Sequence, residues 1–166
     1  MDRATSVNAE GVFEPFDIQR VPWEEYTRGE RFAMRFQALG AFGGGSQIHL
    51  AMEILPAGKQ ANQAHYHLLE EEHVLVLEGS LTLTLGSKTF VMSPGHYVCF
   101  PAGQKVGHAL FNHTDAPCRY LVLGSPQKHD VAVFTDSDRV SVKLTGETYG
   151  KTPTFGYWED IEDGPR

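Results

Sequence analysis

A chain of 166 residues is long enough for one domain with a proper core and too short for two ordinary domains joined by a linker. With 41% hydrophobic and 21% charged residues it falls among globular proteins, which excludes a disordered or fibrous chain. The net charge of −7 without a dense Lys/Arg patch argues against a nucleic-acid partner, and no apolar run approaches the roughly 20 residues that cross a bilayer, so no membrane partner is expected.

In chain order, residues 1 to about 30 show little periodicity and hold Pro15, Pro22 and Gly29, which predicts an extended N-terminal arm with one turn of helix around "WEEY". The first residues lack the apolar core of a signal peptide, so a cytoplasmic location is expected. From residue 31 to 144 short apolar runs alternate with turn signals: "RFAMRFQAL", a triple-glycine loop at Gly43 to Gly45, "SQIHLAMEIL", the Pro56 to Gly58 turn, then "HVLVLEG", "SLTLTLG" and further runs of the same length. About ten such segments predict an all-β fold that closes into a barrel or sandwich, the arrangement that hides sheet edges. "LTLTL" alternates as a strand with one wet face does, whereas "VLVL" is apolar on both faces. Residues 145–166 form an aromatic, acidic C-terminal extension that either wraps the barrel or docks on a partner; an arm that leaves a sheet edge to pair favours a homodimer. Cys99 and Cys118 are too few for a disulfide framework and are expected to be reduced, buried small hydrophobes.

Chemistry concentrates in "AHYHLLEEEHVLVLEG". Side chains two apart on a strand share a face, so His65 and His67 aim at one interior point. Counting back along the next strand, Glu72 shares a face with Val74 and Val76, while Glu71 goes with His73, Leu75 and Leu77 on the other. Glu70 and Glu72 are both in phase, and Glu72 is preferred because it opens the strand, where the backbone is held. A second segment, "PGHYVCFPAGQKVGHALFN", brings His108 to the head of another strand, sharing a face with Leu110 and Asn112. His73 and His113 are out of phase with these positions, His96 belongs to a turn, and His49 and His129 are ordinary polar positions. Gln63, two before His65, is a candidate substrate contact, and Asn112 is a candidate to orient a ligand from behind.

These two segments resemble the motifs of the cupin superfamily. Gly58, His65, His67, Glu72 and Gly79 match the first motif, and Gly95, Pro101, Gly103, His108 and Asn112 match the second, with six residues between Gly58 and His65 and four between Gly103 and His108 where the family usually has five and two. More closely, the chain is similar to small bacterial single-domain cupins of undefined activity, some labelled sugar-phosphate isomerase-like by analogy. The resemblance implies a double-stranded β-helix barrel with His65, His67, Glu72 and His108 around one divalent metal. Three neutral imidazoles and a carboxylate suit Fe, Mn, Ni, Co, Cu or Zn better than Ca or Mg, and they leave coordination positions open.

Three functions fit such a site. One is a metal-dependent enzyme acting on a small oxygen-rich metabolite, such as a sugar derivative, keto-acid or hydroxy-acid, as an isomerase, lyase or dioxygenase. Another is a non-catalytic, metal-dependent metabolite-binding protein, and the third is a metal-free epimerase-like barrel. The residues name no general acid or base, and fold and ligands alone do not choose among the three.

Overall fold

The computed structural model describes residues 4–157 and Glu159; the last part of the C-terminal extension, including Trp158, lies outside the described residues. Thirteen strands follow in chain order: β1 (Glu24–Arg28), β2 (Phe32–Gln37), β3 (His49–Leu55), β4 (His65–His67), β5 (Glu72–Glu78), β6 (Leu81–Leu85), β7 (Lys88–Met92), β8 (Tyr97–Phe100), β9 (His108–Phe111), β10 (Cys118–Gly124), β11 (Val131–Phe134), β12 (Arg139–Val142) and β13 (Glu147–Gly150). A single helical turn, α1 (Leu39–Phe42), follows β2.

The strands form two antiparallel sheets, β1-β2-β3-β10-β5-β8 and β13-β12-β11-β4-β9-β6-β7, which makes the molecule an all-β double-stranded β-helix. Between the sheets Leu55, Val74, Val76, Leu81, Leu83, Phe100, Leu110 and Tyr120 pack into the main core. Period-2 alternation decides which side chains enter it. On β5 Glu72, Val74 and Val76 turn inward, while Leu77 turns outward and joins Leu121 and Met52 in a second cluster with Val21, Leu39 and Phe42. This outer cluster explains why "VLVL" is apolar on both faces: the N-terminal arm and α1 cover the back of the six-stranded sheet. Gln37 fastens the arm there, its Nε2 donating to the carbonyls of Ile18 and Val21 at 2.9 and 2.6 Å.

The stretch expected to make a helical turn around "WEEY" instead supplies β1, registered against β2 from Glu24↔Phe36 to Arg28↔Phe32. The aromatic and β-branched residues of "YT" favour an extended chain, and a ready partner strand overrides the weak helical tendency of two glutamates. The only helical turn before β2 among the described residues is a short 3-10 turn at Ile18–Arg20, where Asp17 accepts from the Gln19 N–H at 2.9 Å. Strand pairing also continues past residue 144, since β13 pairs with β12 along its length. Both cysteines are free, with Cys118 fully buried and Cys99 partly so. No helix of the described residues is long and apolar enough to cross a membrane.

Candidate metal centre

Strand register brings the two histidine segments together. β4 lies between β11 and β9, and His65 and His108 are direct partners across the β4/β9 pair. Glu72 starts β5 on the facing sheet, opposite Gly124 of β10 on one side and Phe100 of β8 on the other. Glycine suits position 124, because a Cβ there would stand 3.3 Å from the Glu71 carbonyl and 4.0 Å from the Glu72 Cγ. The longer turn ahead of His108 does not displace it. Gly103, at φ 74°, donates its N–H to the His67 carbonyl at 2.9 Å, and the extra residues fold outward through turns at Gln104 and Val106 before β9 begins.

One carboxylate oxygen is the focus of the site. Glu72 Oε2 lies 3.1 Å from His108 Nε2, 3.5 Å from His67 Nε2 and 3.9 Å from His65 Nε2. Ligand atoms held about 2.1 Å from a common ion at right angles stand roughly 3 Å apart, so this cluster matches a coordination shell slightly relaxed. The ligand atoms of His65, His67 and Glu72 all fall within 4.8 Å of one another, and the hydrogen bond from His108 Nε2 to Glu72 brings the fourth residue to the same oxygen.

The far sides of the rings decide which nitrogen is free. His67 Nδ1–H donates to Asp130 Oδ2 at 2.5 Å, and His65 Nδ1–H donates to the Gln63 carbonyl at 2.8 Å. Neither acceptor has a proton to give, so each Nδ1 carries the hydrogen and each Nε2 presents its lone pair to the centre. His108 is buried, stacked on Phe100 with ring centroids 3.7 Å apart and planes 3° apart, and its Nδ1 has no partner among the described residues. Its Nε2 therefore makes its only polar contact at the centre, the position a cation would take.

Electrostatics follow the same geometry. Burial lowers the His65 pKa to about 4, with the neighbouring His108 adding to the effect, so this imidazole is neutral at pH 7. Burial alone would raise the Glu72 carboxyl, but the hydrogen bond from His108 and the fields of His67, His65 and His108 outweigh it and bring the pKa down to about 2. Asp130 is wholly buried; desolvation pushes its carboxyl up, yet the hydrogen bonds from His67 and from the Leu69 N–H, the latter 2.8 Å long, leave it below the usual range and ionised. Three imidazole nitrogens and one carboxylate oxygen fit a divalent transition metal.

The other in-phase carboxylate sits elsewhere. Glu70 accepts from the Gln127 N–H at 2.6 Å and from Lys143 Nζ, and it faces the Nδ1 side of His67 at 3.7 Å, away from the Nε2 atoms. The cluster of His67, Glu70 and Asp130 thus has its donor atoms already engaged by protein groups. A further cluster, Glu71, His73 and Cys99, lies on the opposite face of β5, where His73 is bonded to the Tyr97 hydroxyl at 2.6 Å and to Glu71 at 3.0 Å.

Two cavities meet at the centre. An open one of about 460 Å³ is lined by His65, His67 and Glu72 with Asn62, His49, Ser125, Ser141 and Lys143 on its walls, a volume that suits a small metabolite. An inner one of about 60 Å³ continues into the barrel past Glu72, His65 and His108 to Glu53, Phe100 and Leu110. Asn62 lines both cavities, whereas the side chain of its neighbour Gln63 is exposed and lines neither; Gln63 acts on the site through its carbonyl. Asn112 is fully buried and bonded away from the cavities, donating to the carbonyls of Leu55 and Ala116 at 2.9 and 2.8 Å and accepting from the Thr114 N–H at 2.9 Å.

Sequence reasoning missed Asp130 and Glu53. Asp130 carries no local signal, since its partner His67 lies on a strand reached only through the β4/β11 register. Glu53 is the one acidic residue of "HLAMEIL", a strand apolar on both faces, so periodicity alone does not say which way it points.

Residues 51–124 match the family model described as Cupin domain. Among solved structures, a protein from Silicibacter pomeroyi named a sugar phosphate isomerase from a cupin superfamily aligns with a TM-score of 0.75 at 28% identity, covering 85% of this chain and 95% of its own. A protein from Acidithiobacillus ferrooxidans, provisionally named a sugar phosphate isomerase, aligns at 0.73 and 24% identity over 86% of this chain and 88% of its own. A Thermotoga maritima protein named a "predicted oxalate decarboxylase" aligns at 0.59 and 17% identity over 69% of this chain and all of its own, and at such identities the shared property is the fold. No curated protein matches the sequence.

Proposed function

Since this chain belongs to the cupin superfamily, we propose that it is a metal-dependent enzyme that isomerises or cleaves a small oxygen-rich molecule, such as a sugar derivative, keto-acid or hydroxy-acid. His65, His67, Glu72 and His108 hold the metal. The observation that carries this reading is the convergence of three imidazole Nε2 atoms on one Glu72 oxygen, at distances from 3.1 to 3.9 Å, where two cavities join.

When bound, a divalent transition metal in this shell would supply Lewis acidity toward a carbonyl or hydroxyl oxygen. The chain's own groups prepare that position. Asp130 and the Gln63 carbonyl fix the tautomers of His67 and His65, and Phe100 holds the plane of His108. The outer cavity is polar on its walls, with Asn62, Ser125, Ser141 and the Glu70-paired Lys143 available to hydroxyl or anionic groups of a substrate. The name of the Silicibacter pomeroyi protein favours sugar phosphates as the first compounds to try.

The test is turnover by metal-loaded protein of a panel containing fructose 6-phosphate, ribose 5-phosphate and simple keto- and hydroxy-acids, with oxygen present and removed. Product formed without oxygen supports the proposal. Oxygen consumption would replace it with a dioxygenase, binding without product with a non-catalytic binding protein, and turnover that survives a chelator with a metal-free epimerase.

A further inference from the structure

β3 turns His49, Ala51, Glu53 and Leu55 toward the barrel, and Ala51 and Leu55 on either side of Glu53 are fully buried. A carboxyl between two such positions is far from where side-chain hydration would place it. It borders the inner cavity, and of the ionisable groups on that wall the other three are His65, Glu72 and His108. No hydrogen bond or ion pair among the described residues joins Glu53 to any of them.

We propose that Glu53 is the catalytic acid-base residue of this site, exchanging a proton with a molecule held between it and the four-residue centre. The proposal rests on the metal-dependent reading above and adds the proton-transfer group that reading lacks. The groups facing Glu53 come from four strands: Tyr120 is its direct partner on β10, Glu72 stands on β5, and His65 and His108 stand on β4 and β9, while its partner on β2, Phe36, is apolar. Burial raises the Glu53 pKa to about 7; the adjacent Tyr120 hydroxyl pulls it down and the Glu72 charge pushes it up. Tyr120 is itself wholly buried, and the geometry of its hydroxyl falls short of a formed hydrogen bond. A carboxyl that changes protonation near neutral pH is suited to both halves of a proton shuttle.

In the step this assigns, the Glu53 carboxylate takes the proton from the carbon beside a carbonyl. The C–H pair becomes the new C=C bond, and the carbonyl pair moves onto its oxygen. Glu53 then returns the proton to the former carbonyl carbon while the neighbouring hydroxyl proton passes between the two oxygens. A hydroxy-aldehyde becomes a hydroxy-ketone, and no oxidant or reductant is consumed.

The test compares full-length wild-type protein with Glu53→Gln and Glu53→Asp, each loaded with cobalt(II) and titrated with acetohydroxamate, a small chelator that binds through two oxygens and alters the cobalt spectrum. All three should hold the same cobalt with the same starting spectrum. Between about pH 5 and 9 the ratio of wild-type to Glu53→Gln affinity should fall by roughly tenfold, as a carboxylate replaces a neutral donor beside an anionic ligand, and Glu53→Asp should keep an inflection. Parallel pH profiles for wild type and Glu53→Gln would overturn the proposal, and so would loss of cobalt from Glu53→Gln, which would make the residue structural. Wild-type protein that takes up no cobalt would instead overturn the metal reading beneath it, a failure told apart by metal content alone.

Discussion

His67 Nδ1 lies 2.5 Å from Asp130 Oδ2, joining residues 63 positions apart in the chain. This contact sets the tautomer of one expected ligand and makes its Nε2 a better donor. Replacing Asp130 with Asn should lower metal affinity about 10- to 100-fold while leaving the stoichiometry at saturation unchanged. Competition with a chromophoric chelator measures it. Equal affinities would mean that the His67 ring is held by its strand alone.

Acid should destabilise the metal-free protein in two stages. The folded His65 pKa is depressed to about 4, so between the ordinary value of 6.5 and 4 the unfolded chain binds the extra proton and stability falls as pH falls. Glu72 is depressed from 4.5 to about 2, so its contribution, present above 4.5, is lost over that lower window. Urea midpoints at pH 7 and pH 5 should therefore differ more in the wild type than in His65→Gln. A slope unaffected by this substitution would remove His65 from the buried, neutral position described here.

Glu53 has the opposite sign. Its folded pKa is raised from 4.5 to about 7, so its neutral form favours the fold below 4.5 and this advantage disappears as pH rises through 7. The metal-free Glu53→Gln variant should match the wild type at pH 5 and exceed it above pH 8, by on the order of 2 kcal/mol. Thermal or urea unfolding at the two pH values reads the difference.

Asn112 matches a cupin motif, and its place in the structure explains the match through packing. Its own side chain is fully buried, and its amide satisfies two carbonyls and accepts from the Thr114 N–H and hydroxyl in the turn after β9. Asn112→Ala should cost about 2 kcal/mol, because the buried Leu55 carbonyl loses its side-chain donor and the turn loses its tie to the strand, yet metal stoichiometry should stay the same. Denaturant unfolding with parallel metal analysis separates the two effects.

The parts of the site legible in the sequence are those governed by local periodicity. Inward placement of His65, His67 and Glu72 follows from alternation along β4 and β5, and the motif spacing brought in His108 despite a longer turn. Residues that depend on register across the sheets were not legible: Asp130 reaches His67 through the β11/β4 pairing, and Glu53 meets Tyr120 through β3/β10. At the level of elements, the strand-rich plan is visible in the turn signals, but "WEEY" carries no local sign of the partner strand that decides its state. The one-turn α1 contains Gly40 and has too few residues to leave a helical period.

The most direct test of the metal centre is elemental analysis of purified protein beside His67→Ala, each also examined by circular dichroism for its fold. The account predicts about one divalent transition metal per wild-type chain, and little or none in the folded variant. Wild-type protein that binds no transition metal when offered it, or a variant that retains a full equivalent, would contradict it.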